Sequence, residues 1–290
     1  MGDGDNTYDF KEIPRLLEPL RQDEADLVIG SRFKGNIKPE AMSWLHRYIG
    51  NPLLTGLLNL FFHTNITDAH SGFRAFTNET LQKLRLRSQG MEFASEMLIV
   101  ASRLKLRISE VPISYYPRTG ESKLNSFVDG WRHLKFMLFY APTYVYFIPG
   151  VSMLMIGVFL IISAYMRIDI GIIPGLHSLI GGNFLIIIGY QTFLLGVMAQ
   201  LWGEKAGFII NDEFPINIIR KINMQKGIIT GLALILIGSL SLASIFYDLF
   251  TKGYEFIQFN YADIFSYTTI IIGFLTIYNS FLISMIKQNQ

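Results

Sequence analysis

The chain has 290 residues, a net charge of +2, no cysteine, 50% hydrophobic residues and 17% charged residues. The lack of cysteine excludes disulfides, thiolate metal sites and cysteine nucleophiles, and the near-zero charge leaves no footprint for nucleic acid. A soluble domain usually carries about 25% charged residues, so the balance is tilted toward lipid. The charges also divide unevenly: residues 1–143 hold 18 Lys+Arg and 16 Asp+Glu, and the remainder only 7 of each. A water-soluble portion followed by a membrane portion is expected.

In chain order, Met1–Asp5 is acidic and polar where a signal peptide needs a basic stretch, so none is expected there. Asp3-Gly4-Asp5 is an acid–x–acid pair suited to holding a hard divalent cation against a diphosphate. Such ligands need a strand before them, so these carboxylates are either a solvated tail or the remnant of a chain that lacks its natural beginning. Ile13–Leu20 reads as a helix with Pro14 in its first turn. Ala25–Arg32 is a short apolar run, hence a buried strand. Leu45–Phe62 is predicted as a long helix interrupted by Pro52, Ser71–Phe76 as a strand, Ala94–Leu104 as a helix and Leu106–Tyr116 as a strand. The alternation predicts an α/β domain with a mostly parallel sheet and no internal repeat.

Ser126–Tyr140 places Phe127, Trp131, Leu134 and Leu138 on one helical face, with Asp129, Arg132 and Lys135 largely on the other. It reads as a helix lying in a membrane interface, the alternative being a soluble amphipathic helix packed on the domain. Four runs without Asp, Glu, Lys or Arg follow, at about 144–166, 176–201, 227–247 and 264–286. Each exceeds the roughly 20 residues that cross a bilayer as a helix. The flanks holding Arg132 and Lys135, then Lys205, Arg220, Lys221 and Lys226, then Lys287 lie on one side, leaving Arg167 and Lys252 on the other. By the positive-inside rule the N-terminal portion is expected to be cytoplasmic. Gly182, Gly189 and Gly196 recur every seven residues, which predicts close helix packing or a ligand path. Asn183 and Gln191 are expected as interhelical hydrogen-bond partners or as substrate ligands.

Several motifs stand in order ahead of the spans: Asp3-Gly-Asp-Asn-Thr-Tyr-Asp9, Gly30-Ser-Arg-Phe33, Trp44-Leu-His-Arg-Tyr-Ile-Gly-Asn51 and Asp68-Ala-His-Ser-Gly-Phe-Arg-Ala75. They continue with Met91-Glu-Phe-Ala-Ser-Glu96, Glu110-Val-Pro-Ile113 and Tyr116-Pro-Arg-Thr-Gly-Glu-Ser-Lys-Leu124. Together they resemble the polyprenyl-phosphate glycosyltransferases of the dolichyl-phosphate mannose and glucose synthase type, in glycosyltransferase family 2. The resemblance covers residues 1 to about 142 closely and the spans only in architecture, since members differ in their number of membrane helices. It implies a partial GT-A, Rossmann-like catalytic domain over 1–125, an amphipathic interfacial helix over 126–142 and an all-α domain of four transmembrane helices over 143–290. In members a long stretch that holds the nucleotide base and ribose precedes the Asp-x-Asp motif. A start placed at an internal Met, or a split or truncated gene, is expected here, with a separately encoded N-terminal half as a partner.

The activity implied by the resemblance is inverting transfer of a hexose from GDP-mannose or UDP-glucose to polyprenyl or dolichyl phosphate at the cytoplasmic membrane face. Mg²⁺ or Mn²⁺ is the expected cofactor, with Asp5 as metal ligand and Asp3 holding the nucleotide donor or the metal. Resemblance makes Arg32 and Arg47 the acceptor-phosphate ligands. The alternatives are a surface ion pair for Arg32 and a task shared with His46 and Asn51 for Arg47. Asp68 is expected to orient an active-site Arg or the reacting centre, or else to form a turn. Arg74 is expected to tie the sheet to an acid such as Glu96, and Glu92 to partner an Arg. Arg118 and Lys123 are assigned catalytic roles on a loop closing over donor and acceptor, or alternatively a membrane contact. His63, His70 and His133 show no metal-ligand spacing and are read as ordinary polar residues. The rival functions are a catalytically incomplete fragment serving as anchor or partner, and a transporter of a lipid-linked sugar.

Overall fold

The computed structural model of the chain describes residues 1–88, 90, 92–120, 126–168, 174–207, 209, 223–252 and 261–288. It divides into two compact units, Met1–Ala141 and Pro142–Gln290.

In the first unit, a 3-10 turn at Phe10–Glu12 leads into α1 (Ile13–Arg21), with Pro14 in the first turn where its missing N–H costs nothing. Strand β1 (Leu27–Ile37) opens on six consecutive buried residues, because it is the central strand and is covered on both faces. It pairs in parallel with β3 (Ile108–Tyr115) and antiparallel with the short β2 (Arg74–Phe76), in the order β2-β1-β3. The described sheet is thus mixed, whereas alternation of elements pointed to mostly parallel pairing. The chain reaches β2 through a compact loop and reverses direction there. The core joins Tyr8, Leu16, Ala25, Val28, Phe73 and Ile113.

Pro52 does not interrupt the long helix as expected. A π-type turn at His46–Gly50 gives way to α2 (Asn51–Phe62), so Pro52 falls in a first turn. A helix missed in the sequence, α3 (Asn78–Leu84), is started by Thr77, whose hydroxyl accepts from the Thr80 N–H. Helix α4 (Phe93–Arg103) is buried from Ser95 to Ala101. Helix α5 (Ser126–Phe139) buries His133 and Met137, one turn apart, and exposes Phe127, Val128 and Trp131.

The second unit holds α6 (Ile148–Met166), α7 (Leu176–Lys205), α8 (Met224–Lys252) and α9 (Tyr261–Gln288), each containing a segment long and apolar enough to cross a membrane. Glycines set the spacing of α6 against α7. A Cβ on Gly157 would lie 2.6 Å from the Gly182 carbonyl oxygen, and one on Gly189 would lie 2.8 Å from that of Gly150. Gly196 extends the line against Tyr146 and Phe147. The same device recurs between α8 and α9, where Gly231 meets the Gly273 carbonyl and Gly238 that of Ser266. Polar side chains then join α7 to α9. Thr268 donates to Asn183 Oδ1 at 2.7 Å, Asn279 donates to Gln191 Oε1 at 3.0 Å, and Tyr190 and Thr276 share a hydrogen bond at 2.7 Å. Asn183 and Gln191 are therefore interhelical partners.

Replacing Gly157 by Val should wedge α6 from α7 and cost about 1–3 kcal/mol, as overpacking does. Gly181, with open space around its Cβ position, should accept Ala without loss. Denaturant unfolding of the purified protein in detergent would measure both.

Candidate active site

The centre of the site is a buried ion pair. Arg32, on β1, donates Nε to Asp68 Oδ2 and Nη2 to Oδ1, both at 2.7 Å, and its main-chain N–H adds a third bond to Oδ2 at 2.9 Å. Arg32 is 6% exposed and Asp68 fully buried. Burial alone would raise the Asp68 pKa, but the Arg32 charge and hydrogen bonds hold it below the usual carboxylate range. Burial likewise disfavours the charged guanidinium, yet Asp68 holds the Arg32 pKa above its ordinary value. The ring of Tyr115 lies under the guanidinium, 5.1 Å from its carbon. With both carboxylate oxygens engaged, Asp68 acts on Arg32 and forms no simple turn contact. Arg32 is accordingly no surface ion pair. Its Nη1 carries no hydrogen bond among the described residues.

Glu110 fixes the backbone that carries Asp68. Its carboxylate accepts from the N–H groups of Thr67 and Asp68, at 2.8 and 3.1 Å, and pairs with Lys34 Nζ at 2.9 Å. Arg74, fully buried, does not reach the acid expected for it. Its guanidinium donates to the carbonyls of Ser71, Ala69 and Ala94, which bind the loop to itself and to the start of α4. Burial lowers its pKa to about 10. Glu96 instead accepts from the N–H groups of Arg87 and Ser88 and from Tyr140. Glu92 pairs with Arg132 at 3.5 Å.

The Asp-x-Asp segment lies beside this loop and the end of β3. Tyr8 bridges to Tyr115, and its hydroxyl accepts from the Gly72 N–H at 2.9 Å. Asp3 rests over Gly72, where a Cβ would approach Asp3 Oδ2 to 2.6 Å and make that carboxylate shift. Burial and then the neighbouring Asp5 charge push the Asp3 pKa up. Asp5 is pulled down despite partial burial, by hydrogen bonds from Thr7 and the charge of Arg118, whose Nε lies 2.7 Å from Asp5 Oδ2. Two hard oxygen donors in one another's field suit Mg²⁺ or Mn²⁺ completed by a diphosphate. Among the described residues no group of three or more candidate ligands occurs.

Arg47 and Arg32 line one cleft of about 280 Å³ with Gly35, Asn36 and Tyr48. Arg47 stacks over Tyr48 and forms no ion pair among the described residues. His46 and Asn51 turn to Ser43 and Met42 and leave the cleft to Arg47. Lys123 lies outside the described residues. Sequence reasoning missed Glu110 as the anchor of Asp68 and Gly72 as the seat of Asp3, although both stand in the quoted motifs. It also missed that His70 and His133 meet, with ring centroids 4.7 Å apart.

Asp68→Asn should leave the Arg32 charge buried without its counterion and cost about 3–5 kcal/mol of stability, measurable by denaturant unfolding. Burial, and then His133, lower the His70 pKa to about 3 from the ordinary 6.5. Below pH 6.5 the unfolded chain therefore takes up a proton that the folded chain refuses. This contribution to stability is complete above pH 6.5 and falls away toward pH 3. His70→Phe should flatten the dependence of melting temperature on pH over that window.

The sequence matches two family descriptions, Glycosyl transferase family 2 over residues 2–85 and Glycosyltransferase family 2 C-terminal transmembrane region over residues 197–287. It is 37% identical over 288 residues to the low-salt glycan biosynthesis hexosyltransferase Agl6 of Haloferax volcanii, covering 99% of this chain and 70% of that relative. It is 36% identical over 113 residues to a UDP-N-acetylglucosamine–dolichyl-phosphate N-acetylglucosaminyltransferase of Methanococcus voltae, covering 38% of this chain and 45% of the relative. It is 35% identical over 137 residues to an undecaprenyl-phosphate mannosyltransferase of Micrococcus luteus, covering 44% and 53%. The match to Agl6 spans both units, and with the two family descriptions it shows that the chain belongs to glycosyltransferase family 2, as a membrane member of it.

Proposed function

We propose that the chain takes part in transfer of a hexose from a nucleoside diphosphate sugar to the phosphate of a polyprenol, with inversion, at the cytoplasmic membrane face. The observation that carries the acceptor assignment is the cleft shared by Arg32 and Arg47. Asp68 occupies one edge of the Arg32 guanidinium and leaves Nη1 for a phosphate oxygen, while Arg47 supplies a second cation. Such positioning is what the acceptor needs, because a phosphate monoester with a second pKa of about 6 is already largely dianionic and nucleophilic at neutral pH. Its oxygen attacks the anomeric carbon from the face opposite the diphosphate, and the bond to the leaving diphosphate breaks with its electron pair.

Asp3 and Asp5 would hold Mg²⁺ or Mn²⁺, which supplies Lewis-acid neutralisation of the leaving diphosphate. We assign Arg118, paired with Asp5, to meeting that charge as it develops, and the sequence pattern assigns Lys123 the same task. Helix α5 precedes the first apolar helix in sequence and exposes Phe127, Val128 and Trp131. We assign these residues to the membrane surface, so that the acceptor's tail stays in lipid while its head reaches the cleft. The basic residues flanking the spans support the cytoplasmic placement.

Radiolabelled transfer from GDP-mannose, UDP-glucose and UDP-N-acetylglucosamine to polyprenyl phosphate, with Mn²⁺ or Mg²⁺, tests the reading. Asp5→Ala should abolish transfer, and Gly72→Ala should weaken the metal requirement's half-saturation by displacing Asp3. Arg47→Ala should raise the acceptor KM by about tenfold, the worth of one charge-assisted contact. Undiminished transfer by Asp5→Ala would overturn the metal assignment.

A further inference from the structure

Two histidines stand outside the chemistry just described. His70 lies two residues after Asp68, and His133 projects from α5. The two rings meet edge to face, 84° apart in plane with centroids at 4.7 Å. His133 is 5% exposed and is itself held, its Nδ1 lying 3.1 Å from the Ser95 hydroxyl at the start of α4. The His70 ring is not held in that way. Both of its nitrogens are shielded from solvent and have no hydrogen-bond partner among the described residues.

That contrast decides the direction of dependence. A ring fixed by hydrogen bonds keeps its place when a neighbour is removed, whereas a ring fixed by packing follows the surface it packs on. Immediately upstream, the Asp68 carboxylate has no slack, since both oxygens are committed to Arg32. A shift of His70 is thus passed along two residues of backbone to the pair that aims Arg32 into the cleft. The Ala69 and Ser71 carbonyls, on either side of His70, are both tied by Arg74, which joins this stretch of loop into one unit. On its other side α5 exposes Phe127, Val128 and Trp131, and the His133 ring gives a force on that face a direct route to the loop.

We infer that the His70–His133 contact is the joint by which α5 sets the Asp68–Arg32 pair, making His133 a positioning residue for the acceptor phosphate. The inference rests on the acceptor reading of the Arg32 and Arg47 cleft. It extends that reading by linking phosphate recognition to the seating of a helix that supplies none of the residues lining the cleft.

Equilibrium binding of radiolabelled polyprenyl phosphate, compared with polyprenol, to the detergent-solubilised full chain tests it. Wild type should prefer the phosphate, and Arg47→Ala should remove that preference. His133→Ala should weaken phosphate binding by about tenfold, the scale of coupling through a packed contact, and leave polyprenol binding unchanged. His133→Phe keeps the ring without the Ser95 hydrogen bond and should bind the phosphate better than the Ala variant. His133→Gln keeps a polar partner for Ser95 without the ring and should behave like Ala. A Gln variant that binds as well as or better than the Phe variant overturns the ring contact as the joint. Loss with Arg47→Ala but not with His133→Ala overturns the coupling and leaves the acceptor reading standing. A wild type that does not distinguish polyprenyl phosphate from polyprenol overturns the acceptor reading, and the joint falls with it.

Discussion

Burying a guanidinium and a carboxylate together is costly, and the pair of Arg32 and Asp68 persists only because its surroundings answer that cost atom by atom. Three hydrogen bonds close on one carboxylate, an aromatic face lies against the cation, and Glu110 holds the peptide from which Asp68 projects. Desolvation can exceed the Coulombic gain of such a pair, so it is weak evidence of selection for stability alone. What it provides is direction. A free arginine samples many rotamers, whereas one clamped along one edge by a buried acid presents its remaining nitrogen along a fixed line. Phosphate recognition benefits from that kind of rigidity, because the nucleophile must be held without being blocked.

The same economy governs the acidic segment. Asp3 and Asp5 differ in character although one residue separates them. Asp5 is stabilised as an anion by Thr7 and Arg118, and Asp3 is pressed toward its neutral form by burial and by Asp5. A divalent cation would relieve the repulsion that keeps them apart. Tyr8 ties this segment to the loop, since its hydroxyl accepts from Gly72 directly beneath Asp3. The acids Asp3 and Asp5 and the Arg32–Asp68 pair are therefore joined through one short loop, Asp68–Arg74.

Part of this geometry was legible because the residues that meet sit in short motifs. The acid–x–acid pair, the arginines and Asp68 could be named from spacing and resemblance, and the apolar runs from hydropathy alone. Partners could not. Glu110 lies 42 residues from the peptide it anchors, and His133 is 63 residues from His70, so no local pattern links them. Arg74 was assigned to an acid because arginine usually seeks one; three carbonyls at the start of a helix and within its own loop answered it instead. Pro52 misled for the opposite reason, since a rule about helix interiors was applied at what the π-type turn makes a helix beginning. The charge ledger of the two halves, by contrast, needed no partner to be read.

The glycine contacts of the second unit carry a consequence for how such chains diversify. Each pair of apolar helices, α6 with α7 and α8 with α9, closes on itself through backbone-to-backbone approach, and polar side-chain bonds join one pair to the other. A hairpin built this way is a self-contained module that returns the chain to the face it left. Adding or deleting one changes the number of crossings by two and leaves the sidedness of everything before and after it intact. Lineages can then vary the thickness of their anchor without relocating the chemistry it serves.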